Sequence, residues 1–180
     1  MKILIASDIH GSALYCEQLI NAFCTEKADK LLLLGDILYH GPRNDLPDGY
    51  NPKKVIEILN NMAEKIICVR GNCEAEVDQM VLSFPVMSEY SVLNIDGLEI
   101  FATHGHKINP ENPPKLSDGA LLLNGHTHIP VFKEINGFYF ANPGSVSIPK
   151  ENSERGYIIL ENKKLTFKNL EGKEYLKEEI

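Results

Sequence analysis

The rhythm of apolar and polar positions divides the chain into two halves. Residues 2–7 form a short, nearly continuous apolar run, the pattern of a strand buried on both faces. Ser12 can cap a helix over about residues 13–26, where Ala13, Cys16, Ile20 and Phe23 fall at helical spacing. Leu31–Leu34 reads as a second buried strand. Asp36 to Tyr50, rich in Gly, Pro, Asn and Asp, reads as a long loop. Asn51-Pro52 supplies an N-cap and a first-turn proline for a helix to about Ala63, and Ile66–Val69 is a third strand. A β-α-β-α-β order predicts a largely parallel sheet flanked by helices. The second half is strand-rich, with short strands predicted at about 90–95, 98–103, 120–124, 130–135, 138–141, 156–160 and 164–168. Asp96-Gly97 and Asn136-Gly137 are hairpin turns. The charged residues 170–180 fit an edge helix or a frayed tail. The expected class is α/β, with two sheets at the core and helices outside.

Composition narrows the class of function. A chain of 180 residues fits one domain, expected to span 1–180. An apolar fraction of 43% and a charged fraction of 24% exclude a disordered segment, a collagen-like repeat and a coiled coil. The net charge of −7 argues against bulk nucleic-acid binding, which depends on Lys and Arg. It leaves open a phosphate held through bound cations. No apolar run approaches the roughly 18–20 residues that span a bilayer. Met1-Lys2-Ile3 enters a strand pattern at once, so no signal peptide is expected. Cys16, Cys24, Cys68 and Cys73 show no CxxC spacing and are expected to be reduced thiols in a cytoplasm.

Candidate chemistry gathers where strands end. The first strand runs into Asp8-Ile9-His10, the second into Gly35-Asp36, and the third into Gly71-Asn72-Cys73-Glu74. Later strands end at Thr103-His104-Gly105-His106 and Gly125-His126-Thr127-His128. The carboxyl ends of parallel strands open into one crevice. Taken singly, D-x-H is a turn with a capping Asp, H-x-H an exposed strand pair, and Gly-Asp simple turn chemistry. Together they deliver Asp8, His10, Asp36, Asn72, His104, His126 and His128 to one rim. Imidazole mixed with carboxylate suits Mn, Fe, Zn or Co, whereas Ca prefers oxygen alone. Seven side chains suffice for two ions sharing a carboxylate, and two metals about 3.5–4 Å apart form the usual clamp for hydrolysis at phosphorus.

The segments D-x-H, G-D, G-N-x-[DE], T-H-G and G-H-T-H, in this order, resemble those of the calcineurin-like metallophosphoesterases. With His40-Gly41-Pro42-Arg43-Asn44 and Asn142-Pro143-Gly144-Ser145-Val146-Ser147, the likeness runs across almost the whole chain and is strongest to the small bacterial phosphodiesterases of that superfamily. The resemblance implies a metallophosphoesterase sandwich of two mixed β-sheets flanked by α-helices. It implies one metal on Asp8, His10, Asp36 and His128, and a second on Asp36, Asn72, His104 and His126, with Asp36 as the bridge. It further implies in-line displacement by a metal-bound hydroxide, with Asp36, Asn72, Cys73 and His104 around the reacting phosphate. Mn is expected first, with Fe, Zn or Co as alternatives.

The chain departs from the superfamily at one position. Cys73 stands where most members carry His, which puts the acid role there in doubt because a neutral thiol is a weak donor. Cysteine at this position is also a trait of the small bacterial branch. Its bland reading is packing. Arg43 could bind phosphate through its planar fork, and His40 and His106 are further candidate substrate contacts; the bland reading of Arg43 is a loop charge. The expected function is a metal-dependent phosphodiesterase acting on small phosphodiesters, without membrane or nucleic-acid partners, as a homodimer or higher homo-oligomer. Two alternatives stand beside it. One is a phosphomonoesterase or nucleotide hydrolase using the same metals. The other is a non-catalytic interaction module, like the retromer subunit that resembles this fold.

Overall fold

The computed structural model describes residues 1–180. Its first sheet contains β1 (Ile3–Ala6), β2 (Lys30–Leu33) and β3 (Ile66–Cys68), joined in parallel with β1 beside β2 and β2 beside β3. Two helices cross between them, α1 (Ala13–Glu26) and α2 (Pro52–Asn60), and a short α3 (Glu76–Val81) comes after β3. Ser12 caps α1, its hydroxyl accepting from the Tyr15 amide, and the Asn51 side chain caps α2 with Pro52 in the first turn. The second sheet holds β4 (Tyr90–Ile95), β5 (Leu98–Thr103), β6 (Leu121–Leu123), β7 (Pro130–Ile135) and β8 (Phe138–Pro143), in the order β4-β5-β6-β8-β7. The chain then returns to the first sheet through β9 (Gly156–Glu161), β10 (Lys164–Asn169) and β11 (Glu174–Glu179), giving the order β11-β10-β9-β1-β2-β3.

Both sheets mix parallel and antiparallel pairs. Alternation along β1 shows how the layers form. Ile3 and Ile5 face the second sheet with Leu121, Leu123 and Ile100, while Leu4 and Ala6 face α1 and α2 with Leu19, Phe23, Val55 and Leu59. Each fully buried leucine of this kind contributes about 1.5–3 kcal/mol relative to an exposed one. The outer face of the second sheet carries a smaller cluster of Phe101, Leu122, Phe138 and Phe140, and Ile108 and Leu116 from the loop after β5 pack on it.

Two expectations change. Residues 174–179 are a strand, neither helix nor tail: Leu176 and Ile180 pack against the inter-sheet core while Lys177 and Glu179 face water. The second helix stops at Asn60 and a single 3₁₀ turn at Ala63–Lys65 precedes β3. Cys24 is exposed, whereas Cys16 and Cys68 are buried. All four thiols are free.

Candidate metal centre

β1, β2, β5 and β6 end at one rim, and the loops after them carry the chemistry. The backbone there is held in a conformation most residues avoid. Asp8, His10, Asp36, His126 and His128 all have φ between 49° and 65°. Asp and His tolerate this left-handed region better than β-branched residues, and such positions cluster at functional sites. The crossing loops touch so closely that two positions admit only glycine. A Cβ on Gly125 would fall on Ser7 Oγ and 2.8 Å from Asp8 Oδ2, and one on Gly71 would fall on Asp36 Oδ1 and 2.7 Å from Glu74 Oε2.

Asp8 and Asp36 are buried, and each spends one carboxylate oxygen on the backbone. Asp8 Oδ2 accepts from the His126 amide at 3.0 Å, and Asp36 Oδ1 accepts from the Cys73 amide at 2.9 Å. The other oxygens face imidazoles. Asp8 Oδ1 is buried without a hydrogen-bond partner, 3.2 Å from His128 Nε2 and 3.5 Å from His10 Nε2. Asp36 Oδ2 stands between His104 Nε2 at 3.5 Å and His10 Nε2 at 3.8 Å.

The tautomers of three histidines are set by their outer partners. Nδ1 of His10 donates to the Tyr39 carbonyl at 2.7 Å, that of His104 to Leu34 at 2.6 Å, and that of His128 to Ile148 at 2.6 Å. A carbonyl only accepts, so each Nδ1 bears hydrogen, and in the neutral ring each Nε2 turns a lone pair inward. His10 Nε2 and His128 Nε2 lie 3.2 Å apart, and His104 Nε2 lies 3.1 Å from Asn72 Oδ1. Lone pairs at that separation repel unless positive charge sits among them.

Without a metal, protons supply that charge. Burial pushes the His104 imidazole down, but its hydrogen bond to Asp36 and the charges of Asp8 and Asp36 outweigh this and raise it to about 9. His10 is raised in the same way, burial being outweighed by Asp8. Burial would raise the Asp8 carboxyl, yet its contacts with His10 and His128 hold it well below the usual range. Asp8, His10 and His128 form one group whose ligand atoms lie within 4.8 Å of one another, Asp8, Asp36 and His104 a second, and His10, Asp36 and Cys73 a third. An unpartnered carboxylate oxygen, converging imidazole lone pairs and two carboxylates shared among the groups fit divalent metal ions well.

His126 stands at the edge of this cluster, half-buried, its ring 5.0 Å from that of His104. Asn72, Cys73, Arg43 and His128 join His10 and Asp36 in lining a cavity of about 500 Å³. Burial, then the charge of Asp36, pushes the Cys73 thiol far up, so it stays protonated. His40 does not line this cavity. Its ring packs edge-on against Tyr39 and Tyr50 at 4.7 and 5.4 Å. His106 faces a neighbouring cavity.

The sequence profile of the calcineurin-like phosphoesterase superfamily domain matches residues 1–165. The chain belongs to the calcineurin-like phosphoesterase superfamily. It is 48% identical to phosphodiesterase YfcE of Escherichia coli K12 over 162 residues, covering 90% of this chain and 88% of the relative. The solved structure of the E. coli phosphoesterase YfcE superposes with a TM-score of 0.96 at 44% identity, covering 98% of each chain. Vacuolar protein sorting 29 of Cryptosporidium parvum shares the superfamily fold, with a TM-score of 0.66 at 20% identity over 99% of this chain and 97% of the other.

Glu74 and Lys150, near this candidate site, carried no role in the sequence reading. Glu74 is buried and its carboxylate accepts three backbone amides, those of Asp36, Ile37 and Gly71. It ties the loop after β2 to the loop after β3. Its only signal was the acidic fourth position of the G-N-x-[DE] segment. Ser145 and Ser147 both donate to the Asp8 carbonyl from behind, at 2.8 and 3.1 Å. Lys150 lines the same cavity as Arg43 and had no motif to mark it.

Proposed function

We propose that the protein is a metal-dependent phosphodiesterase hydrolysing small phosphodiesters at a site for two divalent ions. The observation that carries this reading is the inward aim of three imidazoles, each fixed through Nδ1, onto the free oxygens of Asp8 and Asp36. The likeness to the E. coli phosphodiesterase YfcE supports the diester as substrate.

In this reading Asp8, His10, Asp36 and His128 would hold one ion. Asp36, Asn72, His104 and His126 would hold the other. Asp36 would serve both, since its Oδ2 lies between His10 and His104. Mn is the first choice for mixed imidazole and carboxylate, ahead of Fe, Zn and Co. When bound, the ions supply Lewis acidity to the phosphoryl oxygens and a hydroxide nucleophile at neutral pH.

The chain's own groups position the substrate. Arg43 and Lys150, both cationic on an acidic protein, draw the phosphodiester into the cavity, and the Arg43 fork pairs with phosphoryl oxygens. Cys73 lines the same cavity and is given no nucleophilic part, because the ions would supply the hydroxide. Residues 1–180 act as one unit, as a homodimer in a reducing compartment; four free thiols support the last point, and no helix is long and apolar enough to cross a membrane.

The test is turnover of bis(p-nitrophenyl) phosphate and p-nitrophenyl phosphate by protein stripped with chelator and then resupplied with Mn. Mn-dependent hydrolysis favouring the diester is expected. Full activity in the stripped protein, or a preference for the monoester, contradicts the proposal.

A further inference from the structure

Each sheet ends in two edge strands, β3 and β11 in the first, β4 and β7 in the second. An edge offers a row of free N–H and C=O groups to any passing strand, and proteins ordinarily guard it with charge, proline, a bulge or shortness. β3 is only three residues long. β11 carries Glu174, Lys177, Glu178 and Glu179, and its register with β10 shifts at Phe167–Lys168. β7 begins with Pro130 and carries Lys133 and Glu134. β4 has none of these devices. Its six residues, Tyr90-Ser91-Val92-Leu93-Asn94-Ile95, hold no charge and no proline, and each pairs with β5 in unbroken register.

The hairpin after β4 fixes which of its backbone groups are free. Asp96 and Gly97 both have positive φ, 52° and 78°, the conformation of a two-residue type I′ turn. Such a turn closes on a hydrogen-bonded pair, here Ile95 with Leu98. Bonded pairs recur at alternate positions, Leu93 with Ile100 and Ser91 with Ala102. The N–H and C=O of Tyr90, Val92 and Asn94 therefore point out of the sheet edge, and no other segment of the chain bonds to them. Tyr90 and Val92 are also 53% and 58% exposed.

We propose that β4 pairs antiparallel with β4 of a second copy of this chain, across a two-fold axis at Val92, so that the two second sheets become one. The inference rests on the homodimer put forward above and assigns its surface; it does not depend on the metal chemistry. A two-fold axis suits a strand edge because the same groups serve both copies. With the axis at Val92, that residue faces the partner subunit's Val92, and Tyr90 faces Asn94 of the partner subunit. All the outward groups of Tyr90, Val92 and Asn94 then find partners. No charge meets a like charge. Glu89, paired with Lys107 at 2.9 Å, falls opposite the partner's Ile95, and Asp96, paired with the N-terminal ammonium at 3.1 Å, falls opposite the partner's Ser88. On a chain of net charge −7, a neutral strand lets two copies approach without repulsion at the contact. A six-residue edge gives a contact at the small end of specific interfaces, so the assembly is reversible.

Sedimentation velocity over about 1–100 μM, the range of a weak reversible contact, reads the assembly. The wild type is expected to gain mass as concentration rises. Val92→Lys and Val92→Glu each set like charges against each other on the axis, at an exposed position where folding is not at risk, and circular dichroism checks that the fold is kept. At the highest concentration each variant alone is expected to show half the wild-type mass. Mixed in equal amounts, the two are expected to recover the wild-type mass, because residue 92 faces its own counterpart and Lys then meets Glu. A wild type that stays monomeric overturns the surface and the homodimer together, and leaves the phosphodiesterase reading to its own test. Variants that keep the wild-type mass retain the homodimer and overturn β4 as its surface. Variants that lose mass alone and do not recover it on mixing overturn the pairing across Val92.

Discussion

Glu74→Gln is the change that best separates the scaffold from the chemistry. In the wild type one carboxylate oxygen accepts from the Asp36 and Gly71 amides and the other from the Ile37 amide at 2.7 Å. Glutamine has one acceptor oxygen. If it keeps the Asp36 and Gly71 bonds, its NH₂ points at the Ile37 N–H, and two buried donors face each other with no acceptor. At about 1–3 kcal/mol for each unsatisfied group, the loss is roughly 2–6 kcal/mol. Burial, and then the charge of Asp36, push the Glu74 carboxyl above its ordinary value, so some relief of repulsion draws the result toward the lower end. With a urea slope of about 1–3 kcal/mol per molar, the midpoint moves by about 1–2 M. Urea unfolding of metal-free protein is the assay, paired with Mn titration of the folded variant. Because the Asp36 loop hangs on Glu74, Mn affinity falls together with stability. A loss below about 0.5 kcal/mol with unchanged Mn affinity would refute the assignment of Glu74 as the tie between the two loops.

Asp36→Asn keeps an acceptor for the Cys73 amide but removes charge from both candidate metal positions, so kcat/KM falls at least about tenfold further than in His128→Ala, equivalent to about 1.4 kcal/mol; equal losses in the two variants contradict the bridge. Introducing imidazole, as Cys73→His, raises turnover of diesters with poor leaving groups more than of those with good ones, and an identical slope of log rate against leaving-group pKa in both proteins means that Cys73 only packs. Mn binding tightens as pH rises from about 6 to 9, because His104, held at about 9, and the raised His10 carry protons that the metal must displace; calorimetry in two buffers of different ionisation enthalpy counts those protons, and an affinity flat across that range contradicts the displacement.

Much of this was legible in the sequence for physical reasons. β1 and β2 are buried on both faces, so they read as continuous apolar runs, and the residues just after each run had to form a loop at the sheet's carboxyl edge. That logic located Asp8, His10, Asp36, His104, His126 and His128 before any geometry. Ser12 and Asn51-Pro52 marked helix starts because capping is local chemistry. β11 was missed because five of its six residues are polar or aromatic and its period-two signal rests on Leu176 and Ile180 alone. α3 was missed because it is one short exposed helix held by Asp78 accepting from the Ala75 amide, and its apolar residues Val77, Met80 and Val81 cover little more than one turn, too short a stretch to show a period. His40 was picked out as a loop histidine beside a glycine and an arginine, and its packing against Tyr39 and Tyr50 belongs to the fold and could not be read from the sequence. Glu74 escaped because a loop carboxylate is ordinarily solvated. Its three amide partners come from segments that meet only in the fold.

The central claim is that two ions sit on either side of Asp36. Crystals grown with Mn and measured at its absorption edge test that directly. The account predicts two anomalous peaks about 3.5–4 Å apart, one against Asp8, His10 and His128 and the other against Asn72, His104 and His126, with the Asp36 carboxylate between them. A single peak, or two peaks with Asp36 bound to only one, would contradict it.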